Sequence, residues 1–172
     1  MQPTRIDVPS SAHTYPVFVA HGLIEQLSRW LSKAGIGDQR FLVSSPTVWR
    51  RHGETISAAL PAVEHLLVRD GERSKTLRTV ERVHEWLIRA GADRQATIIA
   101  MGGGVIGDSV GFAAATYLRG VDLVQIPTTL LAQVDSSVGG KVGVNHPLGK
   151  NLVGAFHAPV AVIADPRVLD TL

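Results

Sequence analysis

The chain has 172 residues, 45% hydrophobic and 19% charged, with a formal net charge of +2, the composition of one globular domain with a core of its own. No apolar run approaches the roughly 18 residues of a membrane span and no apolar leader core opens the sequence, so a membrane protein or a secreted one is not expected and a cytoplasmic address is. The absence of cysteine excludes disulfides and thiolate metal sites, and the scattered, unstriped basic residues set nucleic-acid binding aside.

In chain order, residues 5–8 and 17–20 read as two short strands, an antiparallel pair around SSAHTYP. A helix is expected over 23–34, a strand over 41–44, a helix over 48–60 and a strand over 65–68. The helix at 77–90 is the clearest. Leu77, Val80, Val83, His84 and Leu87 share one face, Arg and Glu residues the other, and Gly91 is the stop signal. Within it His84 reads as a core-edge residue. Strands over 97–101, 123–126 and 160–164 alternate with helices over 106–118 and 130–138, and a last helix begins near Pro166. Strands separated by helices of this length imply βαβ units and a mainly parallel sheet. Continuous apolar strands such as TIIAM and VAVIA imply a sheet covered on both faces.

Four segments hold the residues with chemical potential. MGGGVIGD (101–108) follows a strand and opens a helix. Glycines there bring backbone N–H groups close to a ligand, and a helix N-terminus favours phosphate. Gly102, Gly104 and Gly107 match G-x-G-x-x-G literally, but not on the first βα turn where that fingerprint normally sits. A tight turn that needs small residues for packing accounts for the glycines as well. In QIPTTLLAQVDSSVGGKVGVN (125–145), Thr128 and Thr129 stand after a strand, suited to cap the next helix and face a ligand. Asp135 and Lys141 flank a stretch too small for core, which suggests a loop around a polar ligand, or else a surface ion pair of little worth. GKNLVGAFH (149–157) puts Lys150 and Asn151 side by side in what reads as a loop. DGERSK (70–75) reads as a turn with Ser74 as N-cap, in which Glu72 and Lys75 could clasp a ribose. The basic residues are 13 Arg and only four Lys. Three of the lysines, Lys75, Lys141 and Lys150, fall in these glycine-rich segments, where an ammonium can do what a guanidinium cannot.

Taken together and in this order, GGGVIGDSVGFAAATYLRG, IPTTLLAQVDSSVGGKVGVN and GKNLVGAFHAP resemble the 3-dehydroquinate synthase family. The resemblance runs from about Phe41 to Leu172, is weak over the first 40 residues, and reaches only the N-terminal half of such an enzyme. It implies an α/β, Rossmann-like fold whose mainly parallel sheet has flanking helices. Residues 1–172 are then a single NAD-binding domain, cut at the start of an all-helical metal-binding domain that is expected to be absent. The family's enzymes convert a seven-carbon keto-sugar acid phosphate (DAHP) to 3-dehydroquinate plus phosphate in the shikimate pathway. They use NAD transiently and a divalent metal, zinc or cobalt, as Lewis acid.

Residue by residue, the resemblance implies that Asp70, Gly71, Glu72 and Lys75 meet the adenosine ribose, and that Gly103, Gly104, Val105, Ile106, Gly107 and Asp108 cradle the pyrophosphate. Thr128, Thr129 and Thr171 line the cofactor. Asp135 and Lys141 sit at nicotinamide and substrate, Lys150 and Asn151 between cofactor and substrate, and Arg119 reaches the substrate phosphate across a homodimer interface. Ser45-Pro46-Thr47 departs from the family's acidic or amide residue for the ribose, for which Ser44 or Ser45 could substitute. The family's metal ligands, one Glu and two His, lie beyond the resemblance. His146 and His157 are not among them, so no metal site is expected in this chain and no turnover by it alone. Sister cyclases of the 2-deoxy-scyllo-inosose and epi-valiolone synthase type remain open as alternatives, as does a non-catalytic NAD-binding module.

Overall fold

A computed structural model describes residues 3–172. Nine strands and four α-helices follow one another as β1 (Thr4–Pro9), β2 (Thr14–Val19), α1 (Leu27–Lys33), β3 (Arg40–Ser44), α2 (Pro46–Ala59), β4 (Glu64–Leu67), α3 (Leu77–Arg89), β5 (Thr97–Gly102), α4 (Gly104–Thr116), β6 (Asp122–Pro127), β7 (Lys141–His146), β8 (Gly149–Phe156) and β9 (Ala161–Ala164). Seven strands form one sheet in the order β1-β2-β9-β6-β5-β3-β4. All its pairings are parallel except β1 with β2, the antiparallel pair expected from the sequence.

The sheet is buried on both faces because its central strands are almost continuously apolar. All of β5 and all of β9 lie inside. Successive side chains go to opposite faces. Ile98 and Leu123 therefore join Val83, Leu87 and Val110 under α3 and α4, while Ile99 and Val124 join Leu27, Leu31 and Ile56 under α1 and α2. The helix ends follow local chemistry. Gly91 takes φ +70° immediately after the C-cap of α3, as the stop signal implied. The N-cap of α3 is Thr76, whose hydroxyl accepts from Thr79 N, and not Ser74. The latter ends a 3-10 turn, Glu72–Ser74, and donates to Asp70 O. His84 stands where the pattern put it, with Nε2 3.0 Å from Ala113 O and 3.1 Å from Thr116 Oγ1, a strut between α3 and α4.

Several expectations need correction. The helix over 23–34 is a 3-10 turn (Ile24–Gln26) followed by α1. The expected helix over 130–138 is only a short segment whose ordered part is a π-turn, Ala132–Ser136, and the last helix is a 3-10 helix, Pro166–Thr171. The larger correction concerns 141–156. Both polar-ligand segments there read as loops, but they form an antiparallel hairpin, β7 with β8. Val142 and Val144 point into the core beneath α4. Gly143 and Gly154 face each other in register, and a Cβ on Gly143 would come within 2.6 Å of Val153 O. Gly111 of α4 supplies the room for the hairpin to dock, since a Cβ there would collide with Val142 Cγ1. That close approach explains a glycine in mid-helix, where it costs about 1 kcal/mol against alanine.

Candidate functional site

The site is built at the C-terminal edge of the sheet, where β3, β4, β5 and β6 all end. This is where open parallel sheets bind ligands. β5 runs into Gly103, the N-cap of α4, which offers no side-chain cap. The first-turn N–H groups of α4 (Gly104, Val105, Ile106) are therefore left for an external acceptor. Ile106 itself is anchored in the core, so it can contribute only its backbone. A Cβ on Gly104 would sit 3.1 Å from Ser136 Oγ, and one on Gly107 2.9 Å from Gln125 Oε1. Gly104 thus faces the π-turn and Gly107 packs against β6.

Two cavities divide the sequence-nominated residues. One of about 550 Å³ brings together Asp108, Asp135, Lys141 and Asn151, with Leu152 and Phe156 of β8 along its rim. The other, about 240 Å³, brings together Asp70, Gly103, Thr128, Thr129 and Thr171 with Thr47, Arg51 and His52 of α2. Thr129 Oγ1 also accepts from Ala132 N, the capping role expected of it. Glu72 and Lys150 line a third cavity of about 570 Å³ with Asn145 and His146. Lys150 and its neighbour Asn151 thus line different cavities. Asp135 and Lys141 are not among the ion pairs of the described residues, so both charges are available to a ligand. Arg119 lies past the opposite end of α4, whose 13 residues span about 20 Å at the helical rise.

A hydrogen-bonded network holds these cavities in place. Lys75, only 6% exposed, donates to Asp108 Oδ2 at 2.5 Å and to Asn151 Oδ1 at 2.6 Å. It is not among the residues that line the three cavities. Asn151 has φ +56°, a left-handed conformation that Asn tolerates better than most residues. Asn145 Oδ1 accepts from its N–H, so the strained residue is gripped at backbone and side chain. Asn145 also donates from Nδ2 to Glu72 Oε1 and from its own N–H to Lys75 O. The hydrogen bond from Asn145 holds the Glu72 carboxyl below its ordinary range, with Lys75 and Lys150 helping. Burial pushes the Asp108 carboxyl up, against the pull of Lys75. Burial likewise lowers His52, with the nearby Arg51 charge adding to the effect.

Sequence reasoning did not nominate Asn145, the hub of this network, although it closes the GGKVGVN segment. Nor did it nominate Ser136, whose buried Oγ has no hydrogen-bond partner and lines the cavity beside Gly104. Arg51 and His52 carried no signal beyond their place on a helix.

A glycine-opened helix at the edge of a parallel sheet, with lysines and carboxylates gathered from 70–75, 135–141 and 150–151, matches a known pattern. The family model for the 3-dehydroquinate synthase N-terminal region covers residues 65–172. The chain belongs to the 3-dehydroquinate synthase family. A 3-dehydroquinate synthase from Halorhodospira halophila (strain DSM 244 / SL1) is 52% identical over 159 residues, covering 92% of this chain and 44% of the relative. One from Acaryochloris marina (strain MBIC 11017) is 45% identical over 181 residues and covers 100% of this chain and 49% of its own. The match thus includes the first 40 residues, where the motifs had shown little. The chain spans about half the length of the curated relatives it matches.

Among solved structures, 2-deoxy-scyllo-inosose synthase with carbaglucose-6-phosphate, NAD+ and Co2+ superposes with a TM-score of 0.88 at 32% identity, over 96% of this chain and 47% of that one. The 2-epi-5-epi-valiolone synthase of Streptomyces hygroscopicus subsp. jinggangensis 5008, with NAD+ and Zn2+, gives 0.84 at 33%, over 98% and 47%. The butanol dehydrogenase A of Thermotoga maritima, at 16% identity and 0.72, shares the fold.

Proposed function

We propose that this chain is the dinucleotide-binding part of a 3-dehydroquinate synthase, acting in a reaction that takes a phosphorylated keto-sugar acid to 3-dehydroquinate and phosphate. The observation that carries the reading is the uncapped N-terminus of α4 behind Gly103, opening between the two cavities that gather the nominated residues. NAD fits these residues. The free N–H groups of α4 suit a pyrophosphate, Asp70, Thr128, Thr129 and Thr171 line the 240 Å³ cavity on one side, and Asp108, Asp135 and Lys141 line the 550 Å³ cavity on the other. When bound, NAD supplies transient removal and return of a hydride. In this reading Lys141 offers an ammonium to the anionic substrate, Asp135 orients nicotinamide and substrate through its carboxylate, and Asn151 is held rigid by Lys75 as the floor between them.

A catalytic divalent metal does not fit: among the described residues no three His, Asp or Glu side chains come together, and no step is assigned through one. Arg119 is not among the residues that line the 550 Å³ cavity, and its expected place at the substrate phosphate of a second copy makes a homodimer part of the same proposal. The rim of Leu152 and Phe156, 64% and 85% exposed, suits a surface covered by the share of the relatives that lies outside the match. No helix among the described residues is long and apolar enough to cross a membrane, and we place the protein in the cytoplasm. The sister cyclases are the second reading, favoured by their bound cofactor and their superposition; the higher identity of the 3-dehydroquinate synthases weighs against it.

The test is calorimetry with NAD+. The chain is expected to bind it, and Gly104→Val to abolish binding, because the added side chain fills the space before Ser136. Unchanged affinity in the variant would remove α4 from the cofactor site.

A further inference from the structure

We propose that the cofactor cavity does not discriminate against a 2′-phosphorylated dinucleotide, and that Arg51 is the residue that meets the phosphate; this rests on the dinucleotide reading above. In sheets of this kind the ribose 2′-hydroxyl is held by a carboxylate beyond the end of the strand next to the glycine-loop strand, whereas an arginine there accommodates a 2′-phosphate. Here β3 is the neighbour of β5 on the side of the 240 Å³ cavity.

No carboxylate stands at the end of β3, where the chain runs Ser44-Ser45-Pro46-Thr47. Ser44 is fully buried and donates to Met101 O at 2.9 Å. Ser45, equally buried, spends its hydroxyl accepting from Val48 N as the N-cap of α2. Neither is among the residues that line the cavity, so neither is placed to hold the ribose hydroxyl. What the first turns of α2 present to the cavity instead is Thr47, Arg51 and His52. Among the described residues Arg51 makes no ion pair or side-chain hydrogen bond, and its charge is felt by His52 beside it. The cavity's one carboxylate is Asp70, from the loop beyond β4. Its Oδ1 accepts from Gly71 N at 2.7 Å, and its Oδ2 makes no hydrogen bond among the described residues and remains for a ribose hydroxyl. The cavity thus presents a carboxylate for a hydroxyl and, from α2, an arginine without a partner for a phosphate, which suits both forms of the dinucleotide.

The experiment is calorimetry of the chain with NAD+ and NADP+ in parallel, repeated on Arg51→Ala and, as a control, on Arg50→Ala, which neighbours it outside the cavity lining. NADP+ is expected to bind within about tenfold of NAD+, and Arg51→Ala to weaken NADP+ by about tenfold, the equivalent of one charge-assisted contact. The same variant should leave NAD+ within about twofold, and Arg50→Ala should move neither. NAD+ binding with NADP+ weaker by more than that tenfold margin overturns the inference and leaves the cofactor reading standing. Equal losses for both cofactors in Arg51→Ala overturn the role of Arg51. Failure of both cofactors to bind the unaltered chain overturns the cofactor reading itself.

Discussion

Two glycine-rich regions meet in this molecule and use glycine differently. In the β5–α4 crossover, glycine lets a helix begin without a side-chain cap and lets Gln125 and Val142 approach its backbone. Gln125 and Val142 fill the places of the missing Cβ atoms at Gly107 and Gly111, while the first turn of the helix opens to the cavities. In the β7–β8 hairpin, Gly143 and Gly154 let two strands lie close, and the outer side chains, Leu148, Leu152 and Phe156, stand in solvent. The helix of the crossover is packed on both flanks along its length and open only at its N-terminal turn. The hairpin is held from one side only, by Val142 and Val144 beneath α4 and by the Lys75–Asn145–Asn151 network at its edge.

That contrast can be broken most forcefully at Gly111. Gly111→Val puts a branched side chain where Val142 sits, and we expect a loss of about 3 kcal/mol in urea unfolding. Faster protease cleavage within 141–156 should accompany it while the seven-stranded sheet keeps its circular dichroism.

A smaller effect is expected from Lys75→Met, which leaves the half-buried Asp108 without its cation. A loss of about 2 kcal/mol at neutral pH follows from stranding a partly buried charge. Its pH dependence has a definite sign. Burial already raises the Asp108 carboxyl in the folded chain, and removing Lys75 takes away the main opposing pull. The folded state then binds a proton at a pH where the unfolded state does not. The stability tied to that proton is fully present below the ordinary carboxylate value of 3.8 and lost as pH rises through the folded value. The deficit of the variant against the parent should therefore shrink as the solution is acidified from pH 7 towards about 4.5, read from urea midpoints; a deficit that grows on acidification would contradict the pairing. The smallest change is expected from Phe156→Ser on the outer face of the hairpin. It should move stability by no more than about 0.5 kcal/mol, since an 85% exposed ring has little burial to lose.

The parallel sheet was legible because TIIAM and VAVIA are continuous apolar runs with helices of clear period between them, and the glycine loop because strand, glycines and helix adjoin. The hairpin was not, although its inward residues do alternate: Val142 with Val144, Val153 with Ala155. Glycines at 143 and 154 and the lysines at 141 and 150 mask that period, since they are also the signs of a loop. The same masking hid the separation of Lys150 from Asn151 into different cavities. That separation goes with the left-handed backbone of Asn151, opposite the irregularity between Val144 and His146. Lys75 was nominated from its glycine-rich setting. Its bonds to Asp108 and Asn151 could not be read from sequence, because both partners are distant along the chain. The roles of Ser44 and Ser45 also depended on the third dimension, where a buried carbonyl and a helix N–H claim both hydroxyls.

The sheet's order also bears on how the protein is made. β2 gains its inner neighbour only from β9, with Val17 opposite Val162 and Phe18 opposite Ile163. A ribosome releases residue 17 long before residue 162, so the first hairpin must wait with the inner edge of β2 unpaired until β9 has been made. Domains with such distant pairings form late and are open to wrong partners in the interval. Replacement of β9 residues should therefore lower the yield of folded chain from translation more than equal damage to β3 and β4, whose pairing closes within a single crossover.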